Sequence, residues 1–550
     1  MDANPVMSPA ENPFHAGERE AQRRAEVGDV ASWAGSFIRD HMPDQHRDFF
    51  AALPFLVLAG GDGEGWPWVT ILEGPAGFVR SPDPRRLSVA ATLHPNDPLA
   101  AGFFPGSRIG ILGIELATRR RNRLNGLIRA VDDGFEIEVQ QSFGNCPQYI
   151  HERAWHRAEP ARAGTVRISQ RLEPDQQARI AAADTFFIGS GHSADGERSS
   201  DGYDASHRGG PPGFVHVAAD GARLWFPDYA GNNYFNTLGN LVQDPRVGLL
   251  FVDFATGGLL HIAGRARVDW APKDADDPNA LRMIEVVVEK VIARQAALAL
   301  RWSEDNADLR RLKVTDKVTE SELITSLHLA PLDGKALAPF KPGQHLPVEL
   351  QVPGQRGRVS RTYSLSGSPR APTYRLSVKR EDRGVASSFL HVGIQVGNTI
   401  EARPPAGDFT LPDDEAAFVL VSAGIGVTPM LSMLYAAVND QPARRGWFIH
   451  GTRDGKSHIF RAEVNALIAA APNIRRKVFY SRPAAADVRG KDFDAEGRIT
   501  ADDLLALGAG ADAHYMLCGP ARFLADIRAG LEAGGVSPDR IHFETFGPSG

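Results

Sequence analysis

FVLVSAGIGVTPM, residues 418–430, is the stretch on which the reading of this chain turns. FVLVSAG (418–424) reads as a buried strand, PMLSMLYAAV (429–438) as a helix, and Gly424-Ile425-Gly426 as the turn between them. Glycines there let the backbone approach a phosphate, and the helix N-terminus favours its negative charge. A tight strand–helix turn without a ligand has the same pattern, so the motif alone leaves both readings open. The alternation continues outward. GWFIHGT (446–452), KVFYS (477–481), HYMLCG (514–519) and IHFETFG (541–547) read as strands, with SHIFRAEVNALIAAAP (457–472) and ARFLADIRAGLEAG (521–534) as helices between them. That pattern predicts a parallel α/β sheet covered on both faces over residues 412–550.

Upstream, over 316–411, SELITSLHLAP, HLPVELQVP, RTYSLSG and TYRLSVKRE read as strands. On RTYS, Arg361 and Tyr363 share one face and Thr362 and Ser364 the other. A fixed guanidinium suits a pyrophosphate, and a phenol ring suits a planar cofactor. Taken alone, the same residues fit an exposed strand. GVASSFLH (384–391) looks like a second phosphate-cradling turn into a helix.

RTYSLSGSP, VKREDRGVASSFLH, PAGDFTL, VSAGIGVTPMLSML, HGTR, YMLCGP and ETFGPSG, in this order, resemble the ferredoxin–NADP reductase superfamily, and most of all the reductase half of flavohaemoglobins. The resemblance implies an antiparallel FAD-binding β-barrel (316–411) followed by an NAD(P)-binding α/β domain (412–550). It implies that Arg361 holds the FAD pyrophosphate, Tyr363 packs on the isoalloxazine, Ser364 bonds near flavin N5 and Ser387 supports the FAD phosphates. Gly424, Gly426 and Thr428 would meet the pyridine nucleotide. Cys518, Gly519 and Pro520 would lie by the nicotinamide, and Glu544 and Phe546 would close over the flavin. Cys518 ends an apolar strand and has no obvious histidine partner in the local sequence, so it is read as lining the hydride-transfer site and not as a nucleophile. Arg482, at the end of KVFYS, is where some family members hold the NADPH 2′-phosphate, which favours NADPH over NADH.

Residues 46–270 read as β-rich and repeat themselves. GPAGFV (74–79) returns as GPPGFV (210–215), Asp97-Pro98 as Asp244-Pro245, and RIGIL (108–112) as RVGLL (246–250). Sixteen residues separate Gly110 from Gly126, and the same number separate Gly248 from Gly264. Two tandem copies of one small barrel are expected, over about 50–135 and 180–270. The second copy, from HRGGPPGFVHV to LLHIAGRARV, resembles the FMN-binding split barrel of the pyridoxamine 5′-phosphate oxidase group, whose members pair two barrels with flavin at the interface. Where that oxidase has a Ser-Arg-Lys turn for the flavin phosphate, this chain has Phe235-Asn236-Thr237. Asn and Thr donate hydrogen bonds but bring no charge. Arg208, Asn236 and Thr237 are the candidate flavin contacts. His207 heads the second copy, and His261 lies on its closing strand.

Residues 1–45 read as a loose polar arm with some helix. Residues 271–315 read as a connector in which Ile284, Val286, Val287, Val288, Val291 and Ile292 favour a strand while length and alanines favour a helix. SEDNADLRRLK (303–313) reads as a solvated linker.

At about 150 residues per domain, 550 residues allow three or four domains. With 61 basic and 67 acidic side chains, the net charge of −6 gives no reason to expect a nucleic-acid or anionic-membrane partner. Two cysteines, Cys146 and Cys518, cannot build an iron–sulfur cluster, a four-thiolate zinc site or a disulfide framework, and no metal is expected. Some relatives of the reductase architecture continue into a plant-type iron–sulfur domain. Here electrons are expected to leave FAD directly. No apolar run nears the roughly 18 residues that span a bilayer, and the N-terminus has no apolar signal core, so a cytoplasmic protein is expected. The combined reading is an NAD(P)H-dependent flavin oxidoreductase passing hydride to FAD and on to an acceptor at or beyond the barrel pair, with FMN as the candidate second flavin. The alternative is a reductase for a separate partner, its N-terminal half a haem- or ligand-binding or homodimerisation module.

Overall fold

Strand registers in the computed structural model turn the sequence repeat into a structural one. The structure describes residues 12–545 apart from 36, 145–147, 160–163, 193–198, 273–276, 278, 304–308, 356–357 and 382–383, so Cys146 and Phe546 lie outside the described residues. Two compact units divide the chain, Met1–Asp305 and Asn306–Gly547.

In the first unit, helices α1 (Ala16–Arg24), α2 (Ala31–Ala34) and α3 (Asp44–Ala52) precede seven strands. These are β1 (Phe55–Gly61), β2 (Pro67–Glu73), β3 (Val79–Asp83), β4 (Arg86–Val89), β5 (Arg108–Glu115), β6 (Arg120–Val131) and β7 (Phe135–Gly144). After β8 (Ala154–Arg157), β9 (Val166–Ser169) and α4 (Pro174–Ala182) come β10 (Thr185–His192), β11 (Gly202–Gly209), β12 (His216–Val217) and β13 (Arg223–Asp228). Helix α5 (Asn236–Gln243) leads into β14 (Arg246–Asp253), β15 (Gly258–Asp269), β16 (Arg282–Arg294) and β17 (Leu300–Ser303). The first sheet runs β2-β1-β5-β6-β7-β4-β3 and the second β11-β10-β14-β15-β16-β13-β12, the same order twice.

The repeated glycines have a physical reason. A Cβ on Gly110 would stand 2.2 Å from the Tyr203 carbonyl oxygen, and one on Gly248 2.5 Å from that of Pro67, because these strands cross where the two copies pack. Gly126 and Gly264 both sit at bulges, where the partner strand's backbone leaves no room for a side chain. Between the copies, Val57, Ile71, Leu112, Phe187, Leu250 and Leu259 form one apolar core. At about 1.5–3 kcal/mol for each large side chain fully buried, that core is a main source of the cohesion between the copies.

Three expectations are corrected here. Residues 282–294 of the supposed connector are strand β16, paired to both β13 and β15, so the β-branched residues prevail over length. Arg310–Thr319, overlapping the supposed linker, is a strand with Leu312 and Val314 buried. The N-terminal arm is not loose from Phe14 onward. Phe14, Ala21, Val30, Ala34, Ile38 and Met42 are buried.

The second unit opens on an antiparallel sheet, β18 (Arg310–Thr319), β19 (Ile324–Pro331), β20 (His345–Leu350), β21 (Val359–Ser364), β22 (Tyr374–Lys379) and β23 (Thr399–Ala402), with helix α6 (Val385–Val392) after β22. Its order is β21-β20-β23-β18-β19-β22, and a bridge between Leu365 and Leu376 joins the two ends into a barrel. Strands β24 (Phe418–Ala423), β25 (Gly446–Thr452), β26 (Ile474–Tyr480), β27 (Ala495–Glu496), β28 (His514–Gly519) and β29 (Ile541–Thr545) follow, with helices α7 (Val427–Asp440), α8 (Arg461–Ala469), α9 (Ala501–Leu505) and α10 (Ala521–Ala533). This sheet is parallel throughout, in the order β27-β26-β25-β24-β28-β29. The order reverses between β24 and β28, and open α/β sheets bind ligands beyond the carboxyl ends of strands at such a point.

Candidate functional site

At that reversal, Gly424 adopts φ 57° and a Cβ there would meet nothing within 4 Å, so the turn faces open space. Gly426 is the opposite case. A Cβ on it would lie 2.2 Å from the Cys518 carbonyl oxygen, so only glycine lets the start of α7 close against β28. Thr428 Oγ1 donates to the Ile425 carbonyl at 3.0 Å, which fixes the turn and leaves the hydroxyl's acceptor side over. Gly519 and Pro520 end β28 and begin α10. Arg482 stands exposed after β26, its backbone N–H held by the Arg453 carbonyl at 2.9 Å.

On the barrel, Arg361 is half-buried and its Nη1 donates to the Ser360 carbonyl at 2.8 Å. Burial pushes the Tyr363 phenol up to about 12. Ser364 is buried, and its Oγ has no partner among the described residues. Ser387 Oγ donates to the Gly384 carbonyl and accepts from the Glu381 N–H, both at 3.1 Å, so it shapes the turn into α6. Directly opposite Ser364 in the register stands His345, a residue that no sequence motif singled out. Its Nδ1 lies 3.7 Å from Glu544 Oε1, while Glu544 Oε2 is a buried oxygen with no partner among the described residues. Glu544 pairs in register with Cys518, so Ser364, His345, Glu544 and Cys518 form a chain from barrel to parallel sheet. Burial first, then the Glu544 charge, raises the Cys518 thiol well above its ordinary value, which keeps it protonated and unreactive. Two unpartnered buried oxygens, a desolvated phenol and an open glycine turn fit a flavin on the barrel side and a dinucleotide at the sheet reversal.

The first unit holds a second site. Between the copies lies a cleft partly open to solvent, walled by Arg121 and Arg123 of β6 and by His207, Arg208 and Arg282 of the second copy. Burial, outweighing the attraction of Asp204, brings the Arg123 guanidinium down to about 10, still charged at neutral pH. Its Nη1 donates to Asn236 Oδ1 at 2.8 Å, and Asn236 Nδ2 donates to Glu18 Oε1 of α1 at 2.6 Å. Thr237 Oγ1 donates to Ser206 Oγ at 3.1 Å. The amide and hydroxyl expected to meet a flavin phosphate therefore hold the wall together. Arg208 Nη1 and Arg282 Nε each donate to Asp228 at 2.8 Å. His261 lies elsewhere, its Nδ1 3.0 Å from the Val69 carbonyl.

His207 carries the sharpest signal. Its Nδ1 accepts from Arg121 Nη1 at 3.2 Å, and burial together with the neighbouring arginines holds the ring well below its ordinary pKa. A neutral ring accepting at Nδ1 must carry its proton on Nε2, and that buried N–H has no partner among the described residues. Tyr149, Asn233 and Phe235, all with φ near 60°, also line the cleft. Left-handed backbone at non-glycine residues costs on the order of 1 kcal/mol each and gathers at ligand sites. Four guanidinium groups against one carboxylate, with an unspent donor, fit an anion. Repeat spacing carried the missing information: aligning the copies places Arg123 opposite His261.

Glu18 yields a prediction. Burial and the nearby Asp204 raise its carboxyl well above the usual range, so Glu18 holds a proton more tightly in the folded unit than in the unfolded chain. Its contribution to stability is complete in acid and fades as pH climbs through the raised folded value. His15 and His207, held neutral by burial, act in the opposite sense near neutrality. Glu18→Gln should therefore flatten the fall in the Tm of residues 1–305 as pH rises above the unfolded carboxyl's range, whatever it does to the absolute value. Calorimetry across pH reads this, and parallel wild-type and variant profiles would refute it.

Known proteins can now be set beside this geometry. Residues 172–301 match a family model described as pyridoxamine 5′-phosphate oxidase, 311–411 an oxidoreductase FAD-binding domain, and 420–529 an oxidoreductase NAD-binding domain. A flavohemoprotein from Bordetella pertussis is 40% identical over 272 residues, 48% of this chain and 68% of that protein. One from Deinococcus radiodurans is 40% identical over 242 residues, and the match spans 44% of this chain and only 60% of the relative's length. The flavohem-like FAD/NAD-binding domain of nitric oxide dioxygenase from Vibrio cholerae is 35% identical, with 44% of this chain and all of that one covered at a TM-score of 0.40. The domain models and the flavohemoprotein relatives together define an NAD(P)H-dependent, FAD-containing oxidoreductase. The chain belongs to the ferredoxin–NADP reductase superfamily, with a reductase half of the flavohaemoglobin type joined behind a split barrel of the pyridoxamine 5′-phosphate oxidase type. Among the described residues, no helix is long and apolar enough to cross a membrane.

Proposed function

We propose that electrons from NAD(P)H leave the reductase unit for an acceptor at or beyond the barrel pair, with FMN as the ligand of the inter-copy cleft. FAD, when bound, accepts hydride and releases electrons singly or in pairs, which couples a two-electron donor to many acceptors. Arg361 would hold its pyrophosphate, Tyr363 would face its ring, and Ser364 would offer a hydroxyl to the reacting edge. Gly424, Gly426 and Thr428 would set the nucleotide, with Gly519 and Pro520 beside the nicotinamide and Arg482 placed for a 2′-phosphate. Glu544, 3.7 Å from His345, would stand beside the flavin with its unpartnered oxygen. The described domain limits and a cytoplasmic setting, where NAD(P)H is generated, complete the reading.

The observation that carries it is the arginine-walled cleft with the unspent His207 N–H, which argues for a ligand in the N-terminal half. The bonds already made by Asn236 and Thr237 favour a second reading, in which that half binds another ligand or only assembles and the acceptor is a separate protein. Denaturing the purified protein and counting released FAD, FMN and haem separates them. One FAD with one FMN per chain is expected. FAD with haem, or FAD alone after FMN has been supplied, would overturn the FMN reading.

A further inference from the structure

The cleft has a counterpart, and the strand registers locate it. Val57 pairs with Ile71 and Leu112 in the first copy, as Phe187 pairs with His207 and Leu250 in the second. His207 therefore occupies the place of Ile71, and Arg208 that of Leu72. Leu112 pairs with Arg123, and Leu250 with His261, so Arg123 occupies the place of His261 and Arg121 that of Leu259. In space, β6 packs on β11 at the cleft and β15 packs on β2 at the reciprocal position.

The two positions differ in chemistry. At the cleft, the four corresponding side chains are Arg121, Arg123, His207 and Arg208. At the reciprocal position they are Leu259, His261, Ile71 and Leu72, all buried, and the two flanking residues Ile71 and Leu259 belong to the apolar core between the copies. Arg294 and Asp97, the charges beside it, are paired with each other, and Thr70 Oγ1 donates to the same carboxylate at 2.5 Å. His261 there bonds a backbone carbonyl. Among the described residues an anion would meet no unspent cation in that space, and burying one uncompensated is costly.

We infer that the duplication left one working anion site of two: the first copy supplies Arg121 and Arg123 as the cationic wall that Asn236-Thr237 lacks, and the reciprocal site has been filled with apolar side chains. The ligand class is a phosphate monoester, one per chain. Such a group carries nearly two negative charges at neutral pH and accepts several donors at once. Four arginines against Asp228 on the cleft wall, with Asp204 behind Arg123, leave an excess of positive charge that, together with the His207 N–H, matches it. The inference rests on the reading that the cleft takes a phosphate-bearing ligand, but it is separable from FMN.

The test uses the full-length chain saturated with FAD and equilibrium dialysis against FMN, pyridoxal 5′-phosphate and inorganic phosphate. Arg121 is half-buried and suits substitution, with circular dichroism and thermal unfolding as folding controls. One FMN per chain is expected, weakened at least tenfold by Arg121→Gln and restored to within about threefold by Arg121→Lys, a guanidinium–phosphate contact being among the stronger hydrogen bonds. If FMN fails but pyridoxal 5′-phosphate or phosphate binds once per chain with the same dependence on Arg121, the FMN reading falls and this inference stands. Two FMN per chain, or binding indifferent to Arg121→Gln, would overturn the inference and leave the FMN reading in place. Absence of binding by all three probes would overturn both.

Discussion

Gly426→Val should cut kcat/KM for NAD(P)H at least a hundredfold, about 2.7 kcal/mol of transition-state stabilisation, while FAD stays bound. The cause is steric. The first atom of any side chain at 426 would fall 2.2 Å from the Cys518 carbonyl oxygen, far inside van der Waals contact. To make room, the start of α7 must lift away from β28, carrying the N–H groups of the 424–428 turn with it. A displacement of about 1 Å in a group that positions a reactant costs on the order of a hundredfold. The flavin-side residues, Arg361, Tyr363 and Ser364, lie on β21 of the barrel and do not take part in that movement. Anaerobic stopped-flow absorbance of the flavin band measures the reduction, and FAD content per chain controls for collapse. Reduction within threefold of the natural protein would remove the 424–428 turn from nucleotide binding.

Ser364→Ala should act with opposite signs on stability and on rate. A buried hydroxyl without a partner costs about 1–3 kcal/mol of desolvation. Deleting Ser364 Oγ, buried and unpartnered among the described residues, should therefore make the FAD-free protein more stable by on the order of 1 kcal/mol. The same deletion should slow flavin reduction at least tenfold if the hydroxyl awaits the reacting edge of the ring. Thermal unfolding of the FAD-stripped protein and single-turnover reduction of the loaded one give the two numbers. A destabilised, fully active variant would mean that Ser364 is a structural serine.

Much of this was legible in the sequence because local constraints spoke for themselves. The Gly424–Gly426 turn, the RTYS strand and the tandem glycines each show as a local pattern, even though the backbones that demand Gly110, Gly248 and Gly426 lie far away in the chain. The connector misled for a definable reason. Residues 282–294 are a strand only because β13 and β15 flank them, a pairing set by residues far away in the chain. The cleft was hidden in the same way. Its second-copy residues were noticed at 207, 208, 236 and 237, but the charge they lacked stands on β6, more than eighty residues upstream, and only the fold places it there. His345 was invisible because a histidine on a strand carries no signal until its cross-strand partner, Ser364, and Glu544 are both in place.

The pairing of both barrel copies on one chain also fixes how the cleft responds to dilution. A site assembled from two separate chains comes apart as protein concentration drops below the dissociation constant of the pair. Here β6 and β11, which bring Arg121 to His207, belong to one chain, so their meeting is intramolecular and does not depend on the concentration of the protein. The cleft is therefore as complete at one molecule per cell as in a concentrated solution.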